Sequence, residues 1–291
     1  MNYGCQSMSG KIKRILLKRP EAAFVNQQNL KEKYEAFGYY GCPDYEYAIK
    51  EYDAFEDIIK EHVEDVNFLP HIEGAGLDSI YTHDPFKITA KGAIYFNMGK
   101  ALRNGEPAAA RTFLEGIGIP TLGHIKPPGT MDGGDVVWLD ENTAAIGRGY
   151  RTNDEGIRQF KELVKDFIDN VIVVPMPHAD GPDACLHLMS VISIVDTDLA
   201  VVYSKYMPVF FREMLLARGI VLLEVNDEEY NALGANVLAL APRRCVVLKG
   251  SPKIKGKLLK AKAEVIEYEG KNISWIGTGG PTCLTAPLHR V

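Results

Sequence analysis

Five positions carry side chains whose types and spacing could work together. Cys283, behind the run GTGGP near the C-terminus, supplies a thiol; His187 supplies an imidazole; Asp84 and Asp132 supply carboxylates; Asn236 completes the set. In chain order these residues are 48, 55, 49 and 47 positions apart. A thiol beside an imidazole is a nucleophile with an acid–base partner, and two carboxylates beside them would hold a cation. Each residue alone has a plainer reading. Cys283 could be a small buried hydrophobe, His187 a core histidine, Asp132 a turn former ahead of Gly133–Gly134, and Asp84 a strand start before a proline. Their regular spacing argues for something shared.

The elements needed to bring them together recur along the chain. Two short apolar strands, an amphipathic helix and a third strand repeat as one unit. SIYTHDPFKITAKGAIYFNM reads as a strand pair turning at Lys91–Gly92, followed by the helical PAAARTFLEGIG and the strand IPTLGHI. DGGDVVWLDENTAAIGRG turns at Glu141–Asn142 and leads to the helical NDEGIRQFKELVKDFI, with an Asn-Asp start, and then NVIVVPMP. LHLMSVISIVDTDLAVVY, VFFREMLLARG and IVLLEV form another unit; NVLALAPRRCVVLKG, KIKGKLLKA and AEVIEYEG form the next. The N-terminal unit, IKRILLKR, YEYAIKEYDAFEDIIKEHV and DVNFLP, lacks one strand, which CLTAPLHR could provide. The first residues of the leading strands are then the five positions above. In a closed ring of repeats equivalent positions face one axis, so the thiol, imidazole and carboxylates meet in one cavity.

Composition narrows what that cavity could hold. The chain has 291 residues, is 46% hydrophobic and carries a net charge of −5, with lysines dispersed along it. That charge offers no basic field for nucleic acid and favours a cationic or zwitterionic small molecule. No apolar run reaches the roughly 20 residues of a membrane helix, and MNYGCQSMSGKIKR lacks a signal-peptide core, so a cytoplasmic location is expected. The five cysteines are scattered and lack CxxC spacing, which points to free thiols. A zinc site from Cys185, His187, Cys283 and His289 is the metal alternative, but C-x-H is not a standard zinc spacing, and no metal is expected. GTGGP is a poor phosphate cradle, because neither a helix start nor a lysine follows it.

The motifs THDPF, DGGDVVWL, GRGYRTN, LHLMSVIS, GANVLAL and GGPTCLTAPL, in this order, resemble the guanidino-group modifying superfamily. Its members include arginine deiminases, dimethylarginine dimethylaminohydrolases and amidinotransferases. The resemblance covers nearly the whole chain. It implies an α/β fold, a five-bladed pseudo-symmetric β/α-propeller of ββαβ units, forming one catalytic domain over residues 1–291. It also implies covalent catalysis without metal or organic cofactor, on a small guanidino amino acid; a homo-oligomer is allowed.

The resemblance further implies roles for individual residues. Asp84 and Asp132 would hold the guanidinium, Cys283 would attack its carbon, and His187 would protonate the leaving nitrogen and then activate water against a thiouronium. Arg103 and Arg151 match the family's α-carboxylate clamp, and Asp78 its α-amino ligand. The segment PEAAFVNQQNLKEKYEAFGYYGCP resembles the family's mobile lid. Two departures blur the subgroup: Met189 stands where the family has Asp or Lys, and His83, adjoining the substrate, stands where it has Arg or Glu. In size and clamp residues the chain is nearest the dimethylarginine dimethylaminohydrolases. The expected activity is hydrolysis of L-arginine or an Nω-substituted arginine to L-citrulline. An amidinotransferase and a noncatalytic binding protein of the same fold remain the alternatives.

Overall fold

The computed structural model describes residues 2–291. In chain order its elements are β1 (Ile12–Leu17), α1 (Pro20–Ala23), α2 (Gln27–Lys33), α3 (Tyr45–His62) and β2 (Asp65–Phe68); β3 (Phe86–Thr89), β4 (Gly92–Tyr95), α4 (Glu106–Gly116) and β5 (Thr121–His124); β6 (Val136–Asp140), β7 (Thr143–Arg148), α5 (Asp154–Val164) and β8 (Asn170–Pro175). Then follow β9 (Ile192–Asp196), β10 (Leu199–Val202), α6 (Val209–Ala217), β11 (Val221–Glu224), α7 (Asp227–Asn231), β12 (Val237–Ala241), β13 (Arg244–Leu248), α8 (Pro252–Lys260), β14 (Glu264–Tyr268) and β15 (Ala286–Arg290).

These strands make five three-stranded sheets of one design. The first strand pairs antiparallel with the second through a hairpin, and the second pairs parallel with the third after a helical crossover. The N-terminal sheet obeys the same rule with β15 as its first strand, antiparallel to β1, which is parallel to β2. The C-terminal strand therefore completes the unit that begins the chain.

Alternation along the strands explains how the sheets pack. Successive side chains face opposite sides, and here both sides are buried. In β6, Val136 and Trp138 join a cluster with Ile94 and Phe96, while Val137 turns the other way to meet Leu188 and Ile192. In β13, Cys245 and Val247 pack with Val195 and Val201, whereas Val246 and Leu248 pack with Ile12 and Ile15. Leu16, Ala286 and Leu288 meet Phe86 and Ile88. Each of the five clusters joins neighbouring sheets, the last to the first.

The helices cover the outer edges. In α3, Ala48, Tyr52, Phe55 and Ile59 are buried at helical spacing, and the Asp44 side chain accepts from Tyr47 N at the start. The Asn-Asp start of α5 is realised in the same way, with Asn153 accepting from Gly156 N (2.8 Å). No helix among the described residues is long and apolar enough to cross a membrane.

Some boundaries differ from the sequence reading. The first hairpin turns at Ala90–Lys91, one residue early, with Gly92 at φ +131° opening β4. The five leading residues stand ahead of the strands rather than in them. His187 starts a single turn over Leu188–Ser190, where its N–H donates to Ser190 Oγ (3.0 Å), and β9 begins only at Ile192. Cys283 lies in a turn closed by Leu284 N to Gly280 O (3.1 Å), three residues before β15.

Candidate active site

The loops ahead of the first strands are fastened to one another in sequence. His83 N donates to Cys283 O (3.3 Å), Gly133 N to Asp84 O (2.8 Å), Leu188 N to Asp135 Oδ1 (2.9 Å), Ser193 Oγ to Ala235 O (2.7 Å) and Thr282 N to Asn236 Oδ1 (3.0 Å). This chain of contacts brings Asp84, His187, Asn236 and Cys283 to the wall of one cavity of about 420 Å³, whose lining also includes Asp78, Arg103 and Arg151. Asp132 lies just behind, fully buried and bonded to His187.

Glycine makes the approach possible. A Cβ on Gly280 would stand 2.5 Å from the Asn236 side chain, and one on Gly134 would stand 2.3 Å from His187 Nδ1. The GTGGP run is thus selected for close approach. Its left-handed residue is Thr278 (φ 62°), a β-branched residue lining the cavity, where backbone strain is stored at a cost of roughly 1–3 kcal/mol.

The thiol and imidazole are held by different partners. Asn236 Nδ2 donates to Cys283 Sγ (3.2 Å). His187 Nε2 meets Asp132 Oδ2 (3.1 Å), while Nδ1 faces Cys185 Sγ (3.7 Å) and Asp84 Oδ1 (4.0 Å). Burial disfavours charge on His187, but Cys185, Asp84, Asp132 and Asp135 outweigh it and raise the pKa well above the usual imidazole value. Burial of Cys283, reinforced by Asp84 and Cys185, pushes its thiol up to about 12. Burial also works against Asp84, yet Arg103 and His187 prevail and hold its carboxyl below the usual range. The site therefore combines a protonated ring, an ionised Asp84 and a neutral nucleophile.

The remaining candidates divide by what already occupies them. Arg103 is enclosed: Nε and Nη2 pair with Glu106 (2.9 and 2.7 Å), Nη1 with Asp84 Oδ2 (2.6 Å), and Nη2 also reaches the carbonyls of Tyr81 (3.0 Å) and Asp78 (3.3 Å). Of its five N–H groups, one on Nη1 is left for a ligand. Arg151 is freer, reaching Asp132 Oδ2 at 3.4 Å. Asp78 binds Lys100 Nζ (2.6 Å), which also donates to Phe37 O (2.6 Å), tying the acid to the segment over the cavity. Tyr40 of that segment donates its N–H to Ile276 O (2.9 Å) and packs on Trp275. His83 borders the cavity, but Nδ1 contacts Thr285 O (3.0 Å) and Nε2 contacts Lys87; burial and then Lys87 lower it to about 3, so it is neutral.

Sequence reasoning missed several participants. Asn236 was marked by its place in the repeat spacing, but its contact with sulfur was not legible. Glu106 pairs with Arg103 three residues away and Cys185 faces His187 two residues away, while Lys100 acts across separate loops; Asp180 and Asp183 add acid to the cavity lining. Asp135 had a signal in DGGDVVWL; it binds Thr152 Oγ1 (2.6 Å) and Leu188 N, and burial pushes it up to about 6. His289 lies on β15 and lines a different cavity, apart from the other members of the metal alternative. No group of three or more His, Cys, Asp or Glu among the described residues is placed to hold a metal ion.

The chain is similar to known proteins along most of its length. It is 25% identical to the uncharacterised protein YkgA of Bacillus subtilis, over 98% of this chain and 95% of that one. It is 24% identical to the N(G),N(G)-dimethylarginine dimethylaminohydrolase of Pseudomonas aeruginosa, covering 84% of this chain and 90% of the relative. Among solved structures, the amidinotransferase SxtG of Microseira wollei superposes with a TM-score of 0.81 at 16% identity, over 100% of this chain and 98% of that one, a likeness of fold. The family model described as N,N dimethylarginine dimethylhydrolase, eukaryotic, matches residues 27–290. The chain belongs to the N,N-dimethylarginine dimethylhydrolase family, within the guanidino-group modifying enzymes.

Proposed function

We propose that this protein hydrolyses the guanidino group of L-arginine or an Nω-methylated arginine, releasing L-citrulline and ammonia or a methylamine. Family membership makes it a carbon–nitrogen hydrolase of amidines. The observation that carries the finer reading is the meeting of Cys283, His187 and Asp84 at one cavity, with Asp132 bonded to His187 behind its wall. Residues 1–291 act as a single catalytic domain, a five-bladed propeller of pseudo-symmetric units; the five like sheets and the clusters joining each to the next support this reading.

The geometry suggests a sequence of steps. Asp84 at the wall and Asp132 behind it receive the planar cation, whose charge offsets the burial and the Asp84 field that keep Cys283 protonated. The Cys283 proton passes to solvent water, and the thiolate Sγ attacks the guanidinium carbon, giving a neutral tetrahedral adduct. His187, already charged, gives its proton to the departing nitrogen; the C–N bond breaks and a thiouronium remains on sulfur. The now neutral ring takes a proton from water, which adds to the thiouronium carbon. Collapse breaks the C–S bond and yields the ureido product. Arg151 and the remaining N–H of Arg103 meet the α-carboxylate, and Asp78 exchanges Lys100 for the α-ammonium. His83 shapes the wall beside Asp84.

Mass spectrometry of products from L-arginine, its mono- and dimethyl derivatives and agmatine tests this directly. Citrulline from arginine or its methyl derivatives, without added amine, is expected. Turnover only with an acceptor amine would favour amidino transfer, the second reading, which the likeness to SxtG keeps in view.

A further inference from the structure

A second cavity lies under the active-site floor. It measures about 30 Å³, room for one or two waters or a small ion, and its lining includes Lys87, Trp138, Thr282 and Arg290. Three of these carry buried polar atoms without a hydrogen-bond partner: Trp138 Nε1, Thr282 Oγ1 and Arg290 Nε. Two of the three can only donate, and Lys87, the fourth, is a cation whose recorded partner is the neutral His83 ring. Among the described residues no carboxylate forms an ion pair with Lys87 or Arg290. Asp84, the carboxylate whose charge reaches Lys87, is committed to Arg103. Arg290 spends Nη1 on the carbonyls of Gly10 (2.5 Å) and Ala239 (2.8 Å), leaving Nε without a partner.

Buried donors are normally satisfied and buried charges compensated. Water meets such a site incompletely, since Trp138 Nε1, Arg290 Nε and Lys87 Nζ only donate and leave Thr282 Oγ1 as the one acceptor among the four for its two hydrogens. A small anion accepts from all of them and cancels the positive charge. From this arrangement we infer that the cavity is a binding site for a small monovalent anion of the halide class, held by Lys87, Arg290, Trp138 and Thr282. The ion enters from a wider cavity of about 740 Å³ that shares Cys5, Ser7, Met8, Trp138 and Arg290 with the small one and is lined by hairpin turns at the far ends of the first strands. Bound there, it sits beneath Thr282 and His83, the chain neighbours of Cys283 and Asp84, and steadies the floor that carries them. The Cys5 sulfur is the competing counter-charge. It donates to Ser7 O (3.8 Å), and burial raises its pKa despite Arg290 and Lys87, so it remains a thiol.

The test is thermal unfolding of the whole protein titrated with chloride or bromide, against gluconate at equal ionic strength, together with anomalous diffraction from crystals grown in bromide. A saturable rise in Tm with halide alone, and a bromide peak between Lys87 and Arg290, are expected. Lys87→Met should abolish the rise, and Trp138→Phe should weaken halide affinity roughly tenfold or more, the worth of one hydrogen bond to a charged partner. Equal stabilisation by gluconate, no bromide at this cavity, or an unchanged halide response in Trp138→Phe would overturn the site. So would a wild type that ignores halide while Cys5→Ser gains the response, which would make the Cys5 thiolate the counter-ion.

Discussion

Asp132→Asn isolates the electrostatics of the acid–base group. The substitution keeps the shape of a fully buried side chain and an acceptor for Gly99 N (2.9 Å), but removes the charge facing His187 Nε2 at 3.1 Å. A hydrogen bond to a charged group contributes roughly 1.5–3 kcal/mol, and 1.36 kcal/mol corresponds to one pH unit, so the His187 pKa should fall by about 1–2 units. It should stay above the ordinary value, because Cys185, Asp84 and Asp135 remain. The raised pKa stabilises the fold fully below the unfolded imidazole value and loses that contribution as pH rises through the folded one. The stability deficit of Asp132→Asn should therefore be largest below about pH 6.5 and shrink at alkaline pH. The assay is NMR titration of the His187 ring in the free protein, assigned with His187→Ala, beside thermal melts across pH. In turnover, where His187 must start protonated, the alkaline limb of kcat should move down by the same amount. A His187 titration that stays in place, or moves up, would refute the reasoning.

Cys283→Ser should abolish turnover with little change in Tm, and quenching the wild-type reaction should trap an adduct on Cys283; an adduct on any other cysteine would reassign the nucleophile. In the free protein at neutral pH, iodoacetamide should modify Cys185 before Cys283. Cys185 is exposed, and although its desolvation opposes ionisation, His187 and Arg151 outweigh that and lower its pKa, whereas burial holds Cys283 up at about 12. Peptide mapping that finds Cys283 modified first contradicts this order. Agmatine, lacking the α-carboxylate, should be a poor substrate, and Arg151→Ala should narrow the gap by lowering kcat/KM for the amino acid about tenfold or more while barely touching agmatine; equal losses on both would remove Arg151 from the clamp. Thr278→Gly should preserve the fold and raise Tm, because glycine accepts φ 62° without strain; a clear drop in Tm would show that the threonine side chain contributes more than its backbone costs.

How the fold and site were encoded can be seen in particular residues. The alternation of Val136, Val137 and Trp138, the cap at Asn153 and the buried stripe of α3 are local patterns, so the repeating unit was legible in the chain. The near-equal spacing of Asp84, Asp132, His187, Asn236 and Cys283 likewise placed them at equivalent points, and the missing first strand pointed to the C-terminus. Tertiary packing decided the rest. LHLMSVIS reads as a strand by apolar content, but Asp135 captures Leu188 N and Ser190 closes a turn on His187, which delays β9. Glu106 stands at i,i+3 from Arg103, a local pairing, but nothing in the sequence said that Asp84 would close on the other side of that guanidinium or that Lys100 would join Asp78 to the Phe37 carbonyl. Periodicity records which face of an element is apolar. Which charges become partners depends on distances between separate loops, as for Asp132 and His187; the neighbouring charges then keep the proton on His187 against burial, and burial keeps it on Cys283.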